Sequence, residues 1–240
     1  MADRGSTYLS TNLRTCITSV VGIGTRYELT TDVRQASYIF KENNMNVGIL
    51  NITNDALKVI SLAARTCYAS RKTYSEDKQE AFIKGLIKSG HETPLEFASV
   101  TFDISGVSRV LTHQLVRHRI ASYCQESQRY VNQSHNTYEV PESIRKNESF
   151  RRMYLLAMFE SLDCYNKLIA MGVPKEDARY LLPESMHTKI TVNFNFRELR
   201  HFLKLRLDKH AQCEIRKLAG QMKDLIIAKG YGCIVEDIGE

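Results

Sequence analysis

The apolar spacing changes period along this chain, and that alternation constrains the fold more than any other feature. Residues 98–105, ASVTFDIS, place Val100, Phe102 and Ile104 at every second position, with Ser99, Thr101, Asp103 and Ser105 between them. A side-chain period of two belongs to a strand with one buried face. Ile190, Val192, Phe194 and Phe196 repeat the pattern around Thr191, Asn193 and Asn195. Elsewhere the period is helical. Leu57, Ile60 and Ala64 share one face of 55–67, with Asn54 as a candidate N-cap. Phe82, Ile83, Leu86 and Ile87 form a stripe over 76–89, which Gly90 ends. Residues 107–118 and 148–171 also read as helices, the second closed by Gly172. Pro174 suits the first turn of another, with Glu176 and Asp177 near its positive end. A last helix is expected from Arg197 to Lys229. Strands set among helices, with no internal repeat and no linker-like run, predict one α+β domain. Residues 1–50 read as an N-terminal extension and 51–240 as the domain.

Composition narrows the class. Hydrophobic residues make up 43% and charged residues 25%, which excludes a disordered, collagenous or rod-like chain. No run approaches the length of a membrane span, and MADRGSTYLSTNLRTC lacks the apolar core of a secretory signal. The six cysteines, Cys16, Cys67, Cys124, Cys164, Cys213 and Cys233, contain no C-x-x-C pair. Reduced thiols in a cytoplasmic protein are therefore expected, and no metal site. Gly22-Ile23-Gly24 lacks the third glycine of a dinucleotide fingerprint and reads as a turn. Between 189 and 230 stand ten Lys/Arg and four Asp/Glu. That net of +6 equals the net of the whole chain, so the positive charge gathers on the terminal strand–helix unit. It is either a solvated face or a surface that receives phosphates.

The densest chemistry lies between Arg117 and Tyr130. Arg117-His118-Arg119 is followed by Ser122, Tyr123, Cys124, Gln125, Glu126, Ser127, Gln128 and Arg129. Planar guanidinium forks suit phosphates and carboxylates, while the hydroxyls and amides suit a polar heterocycle or a sugar. In a helix over 107–118, Gln114 would share a face with Arg117 and His118, and Arg117 and Arg119 would diverge. On spacing alone the run also fits a solvated helix end or a basic nucleic-acid patch. The chain has no Trp and no aromatic–basic interleaving, so a nucleic-acid partner is not expected. Ser127 and Cys124 are candidate nucleophiles, but no adjacent base is evident for the serine.

Arg117-His118-Arg119, seven residues, then Ser127 resembles the signature of the flavin-dependent thymidylate synthases. Gln128-Arg129-Tyr130 continues it. AARTC at 63–67, GHETPLEF at 90–97, ISGVSR at 104–109, GVPKEDARYLLP at 172–183 and LRLDKHAQCEIRKLA at 205–219 resemble the family in the same order. The chain departs from the commonest pattern with Cys124-Gln125 in place of Asn-Glu, and with Phe97 in place of His.

The resemblance implies an α+β domain with a central, mostly antiparallel sheet flanked by helices. It implies reductive methylation of dUMP to dTMP, with 5,10-methylenetetrahydrofolate as carbon donor and NADPH-reduced FAD as hydride source. Tetrahydrofolate leaves, and a homotetramer builds its sites where subunits meet. It places Cys67, Thr93, Arg117, His118, Arg119, Gln125, Lys204, Arg206 and His210 at FAD. It places Gln114, Arg117, Gln125, Glu126, Ser127, Gln128, Arg129, Lys189 and Arg216 at dUMP. Arg216 is the expected catalytic group, stabilising the ionised uracil ring. Ser127 then belongs to phosphate binding, Cys124 to the site wall, and His91 near the flavin or folate. Arg206 and His210, four apart on the last helix, would share one face.

Overall fold

The computed structural model describes residues 45–239. The expected extension up to residue 44, Cys16 and the Gly22-Ile23-Gly24 turn lie outside them. The alternating segments become the two central strands of a four-stranded antiparallel sheet ordered β1-β2-β4-β3. These are β1 (Asn46–Ile52), β2 (Ser99–Ser108), β3 (Ala121–Gln125) and β4 (His187–Asn195). Register explains why the two strands seek each other. Val100 faces Phe194, Phe102 faces Val192 and Ile104 faces Ile190, so every apolar position meets another on one face. All six side chains are buried. The opposite face carries Thr101, Asp103, Thr191 and Asn193, linked by Asn193 Nδ2 to Thr101 Oγ1 at 2.8 Å and Thr191 Oγ1 to Asp103 Oδ1 at 3.3 Å. One apolar face and one polar face is the economy of an antiparallel sheet.

Eight α-helices are described, of which the first, second, third, seventh and eighth pack on the apolar face. They are α1 (Ala56–Thr66), α2 (Gln79–Lys88), α3 (Arg109–Leu115), α4 (Glu142–Arg145), α5 (Glu148–Ala170), α6 (Lys175–Ala178), α7 (Phe196–Arg206) and α8 (Cys213–Ile226). Ile60, Ile83, Leu111, Leu115, Leu199, Phe202, Ile215, Leu218 and Met222 join the strands in one core. A smaller core gathers Tyr138, Leu162, Tyr165, Ala178 and Met186 under α5. Gly90, at φ 75°, turns the chain out of α2. The amide of His91 then donates to the Leu86 carbonyl at 2.9 Å, the long bond of a left-handed cap.

Four expectations are corrected. The helix expected over 107–118 starts at Arg109, because β2 runs on to Ser108 past a register shift at Gly106. Gly106 has φ 67°, a conformation that favours glycine. The helix expected from Arg197 to Lys229 is two helices. Its interruption at 207–212 is held by Asp208 Oδ1, which accepts from the His210 amide at 2.8 Å, and by Gln212, whose Oε1 caps Ile215 at 3.2 Å. Strands β1 and β3 were not foreseen, and β1 crosses the boundary drawn after residue 50. It belongs to the sheet because Val47, Ile49 and Ile52 lie opposite Ile104, Phe102 and Val100. The α1 cap is Asp55 and not Asn54, in the left-handed region and without a side-chain bond.

Candidate active site

The signature run is a turn between α3 and β3, and that turn separates its three basic side chains. Arg117 and Arg119 are exposed while His118 is buried. Tyr123 locks the turn, its hydroxyl directed at the carbonyls of Leu115 at 2.9 Å and His118 at 2.8 Å. Burial pushes the Tyr123 hydroxyl above the ordinary phenol range. The His118 ring packs edge-on to Phe202. Its Nδ1 lies 3.2 Å from Glu198 Oε1, and its Nε2 accepts from Arg206 Nε at 3.1 Å. Arg206 Nη2 also donates to the Gln114 carbonyl at 3.3 Å. Gln114, His118 and Arg206, expected at the site, thus form one hydrogen-bonded cluster. Desolvation, aided by the charges of Arg206 and His201, lowers the imidazole pKa from 6.5 to about 4. The ring is neutral at pH 7.

His118, Glu198 and His201 bring potential metal-ligand atoms within 4.8 Å of one another. Their donor chemistry opposes a cation. Arg206 donates to Nε2, so the single proton of the neutral ring sits on Nδ1, and neither ring nitrogen keeps a free lone pair for a metal. The guanidinium adds a fixed positive charge beside the trio.

The next stretch is held by its own neighbours. Gln125, on β3, donates to Thr112 Oγ1 at 3.0 Å and Thr188 Oγ1 at 3.4 Å. The Glu126 amide donates to the Lys189 carbonyl at 2.9 Å, which binds this loop to β4, where Lys189 is exposed. The Glu126 carbonyl accepts from Arg109 Nη2 at 2.9 Å. Ser127 Oγ accepts from the Arg129 amide at 3.2 Å. Gln128 is buried against the Met186 sulfur. Arg129 forms an ion pair with Glu176 and lies over the Tyr130 ring. Cys124 is exposed opposite Thr191. The five described cysteines, Cys67, Cys124, Cys164, Cys213 and Cys233, are free.

The remaining expected residues come from other elements. Arg216 stands in the first turn of α8 and donates through Nη1 to the Lys209 carbonyl at 2.8 Å. Glu214, two residues earlier, accepts from the Ser108 amide at 2.7 Å and its hydroxyl at 2.6 Å. That bidentate contact ties the start of α8 to the start of α3, the helix of Gln114. His210 sits in the turn after α7, so it does not share a helical face with Arg206 as expected. Thr93 is exposed at the start of a single short helical turn whose Leu95 is buried, Cys67 is exposed at the end of α1, and His91 is exposed beside Gly90. Lys204 reaches Glu92 at 3.4 Å.

A polar cavity of about 380 Å³ borders the signature. Arg119, Ser122, Glu96, Ser99, Asn193 and Asn195 line it together with Ile120 and Ala121. Sequence reasoning missed Glu198 and Glu214, both buried acids in the first turn of a helix. Their position is the usual place of a solvated, dipole-complementing acid, and nothing local separates the two cases.

Residues 48–229 match the family described as thymidylate synthase complementing protein. A flavin-dependent thymidylate synthase from Geobacter sulfurreducens is 45% identical over 190 residues, which are 76% of this chain and 82% of that one. One from Pyrococcus abyssi is 42% identical over 192 residues, covering 76% and 79%. A crystal structure of a UMP/dUMP methylase from Streptomyces cacaoi, bound with 5-Br dUMP, superposes with a TM-score of 0.72. At 24% identity over 80% of this chain and 93% of that one, it shows the shared fold.

Proposed function

Because the chain belongs to the flavin-dependent thymidylate synthase family, we propose that it converts dUMP to dTMP. In this reading 5,10-methylenetetrahydrofolate would supply the carbon, NADPH would supply the reducing equivalents through FAD, and tetrahydrofolate would be the folate released. The observation that carries this reading is the cluster in which the signature turn, α3 and α7 bring Gln114, His118 and Arg206 together. It stands beside two exposed guanidinium groups, Arg117 and Arg119, which no carboxylate pairs among the described residues. A dinucleotide brings two phosphate charges and a ring edge rich in acceptors. Uncompensated arginines, the further donors Lys204 and His210, and a polar cavity beside Arg119 fit such a group. When bound, the flavin supplies the hydride.

The chain's own residues position and polarise. Arg117, exposed on the turn, serves both the nucleotide and the flavin, and Arg119, also exposed, serves the flavin. Thr93, Cys67 and Gln125 complete the flavin wall. Gln125 to Arg129 with Lys189 hold the deoxyuridylate, and its phosphate takes the place of Glu176 on Arg129. Arg216 remains protonated throughout. Its charge lowers the free energy of the uracil anion as negative charge develops on the ring. The fit to anionic ligands, the subunit-shared sites of a homotetramer and a cytoplasmic location belong to the same reading. No described helix is long and apolar enough to cross a membrane.

The test is the visible spectrum of purified protein after incubation with FAD and gel filtration. A bound-flavin spectrum that bleaches with NADPH faster when dUMP is present, followed by dTMP in the product, supports it. A folded but colourless protein refutes the cofactor assignment.

A further inference from the structure

Arg206 can present its free guanidinium edge in one direction only if two of its N–H groups are held. One hold is the Gln114 carbonyl at 3.3 Å, and the other is His118 Nε2 at 3.1 Å. The second hold depends on a tautomer. An imidazole is a good acceptor at Nε2 when its proton is on Nδ1. In a buried ring that Nδ1–H needs an acceptor of its own. Glu198 Oε1 stands 3.2 Å away and is buried with it. Glu198 is in turn fixed at the first turn of α7, where its amide donates to Asn195 Oδ1 at 2.8 Å. Glu198 and Arg206 lie eight residues apart on this one helix, about two turns. The His118 ring bridges them from the signature turn.

We infer that Glu198 is a positioning residue for Arg206: it fixes the tautomer of His118, and that tautomer aims the guanidinium. This inference rests on the reading that Arg206 faces the flavin. It gives His118 a different role from the direct flavin contact that the resemblance implies, because both ring nitrogens are already engaged within the fold. Without the Glu198 acceptor, the buried ring relieves its unpaired Nδ1–H by moving the proton to Nε2. Two N–H donors then face each other across the His118–Arg206 contact, and the guanidinium turns away.

The experiment uses the full chain, labelled with ¹⁵N at histidine, without flavin for the tautomer and with FAD for the affinity. Glu198→Met keeps the volume and removes the acceptor, and Glu198→Ala serves if the first variant fails to fold. Glu198→Gln keeps an acceptor at the same place. Nitrogen NMR of the His118 ring, identified by its loss in His118→Gln, is expected to show Nδ1–H in the parent and in Glu198→Gln. It is expected to show Nε2–H in Glu198→Met. FAD affinity is expected to fall about tenfold in Glu198→Met and to return in Glu198→Gln. A Glu198→Met protein that keeps the Nδ1–H form and its FAD affinity overturns the inference. A changed tautomer with unaltered FAD affinity in both Glu198→Met and Arg206→Ala overturns the placing of Arg206 at the flavin, while the Glu198–His118 link stands. If Arg206→Ala loses FAD and Glu198→Met changes tautomer without losing it, the positioning role is refuted.

Discussion

The buried imidazole of His118 makes folding stability depend on pH in a way that can be isolated. In the unfolded chain this ring takes up a proton near pH 6.5, and in the folded protein only near pH 4. Between those values the unfolded state binds more protons, so acidification favours unfolding. The stabilising neutral ring is fully in effect above about pH 6.5 and is lost as the pH falls toward 4. At pH 4.5 the difference integrates to roughly 2–3 kcal/mol. The side chain is only 3% exposed, so solvent screening takes little from this figure. His118→Gln is the proper reference, because an amide can accept from Arg206 and donate to Glu198 but does not titrate. Urea unfolding followed by circular dichroism, at one protein concentration, would compare the two proteins at pH 7.0 and 4.5. The parent should lose roughly 2–3 kcal/mol more than the variant over that interval. Glu198, raised by burial, changes stability in the opposite sense on acidification, but it stands in both proteins, as do His201 and Arg206. Parallel losses in the two proteins would refute the claim that His118 is neutral because it is buried beside Arg206.

Three other outcomes follow from the same contacts. Arg216→Lys should fold normally and lose most dTMP formation, measured under single turnover, since an ammonium lacks the planar fork; a parent-like rate would remove Arg216 from its catalytic place. Cys124→Ala should still form dTMP, because a wall residue on an exposed strand position is dispensable, and a dead but folded variant would point to a thiolate adduct. Arg200 is buried, with Nη1 and Nη2 on Asp237 at 2.6 and 2.7 Å, Nε on Glu92 at 3.3 Å, and a further bond to the Ile234 carbonyl. Arg200→Met should therefore cost about 3 kcal/mol by taking the guanidinium from Asp237 and from the buried Ile234 carbonyl, while Glu92 keeps Lys204, read as a lower urea midpoint; an unchanged midpoint would show that the pair is replaceable by packing.

Much of this protein was written locally. The period-two runs at 98–105 and 190–195 determined two strands and which side of each is apolar, although the same spacing carries on to Phe196, which opens α7. Matching those sides is what pairs Val100 with Phe194 and Ile104 with Ile190. The order of residues from Arg117 to Arg129 marked the chemical stretch, and short motifs in series marked the family. What the sequence could not decide was which groups end up buried together. Leu203 and Leu207 carry a helical apolar rhythm straight through the place where α7 stops, and the break comes from Asp208 and Gln212 capping amides. Strand β3 is short and half polar, and it is a strand because β4 offers it an edge. Arg117, His118 and Arg119 are equally polar as letters, yet one is buried against Phe202 and Glu198 and the others face solvent. Periodicity reports only which side of an element is apolar. The partner of a buried proton is chosen by tertiary packing, because desolvation makes an unmatched donor costly and the acceptor that matches Nδ1 of His118 stands eighty residues away.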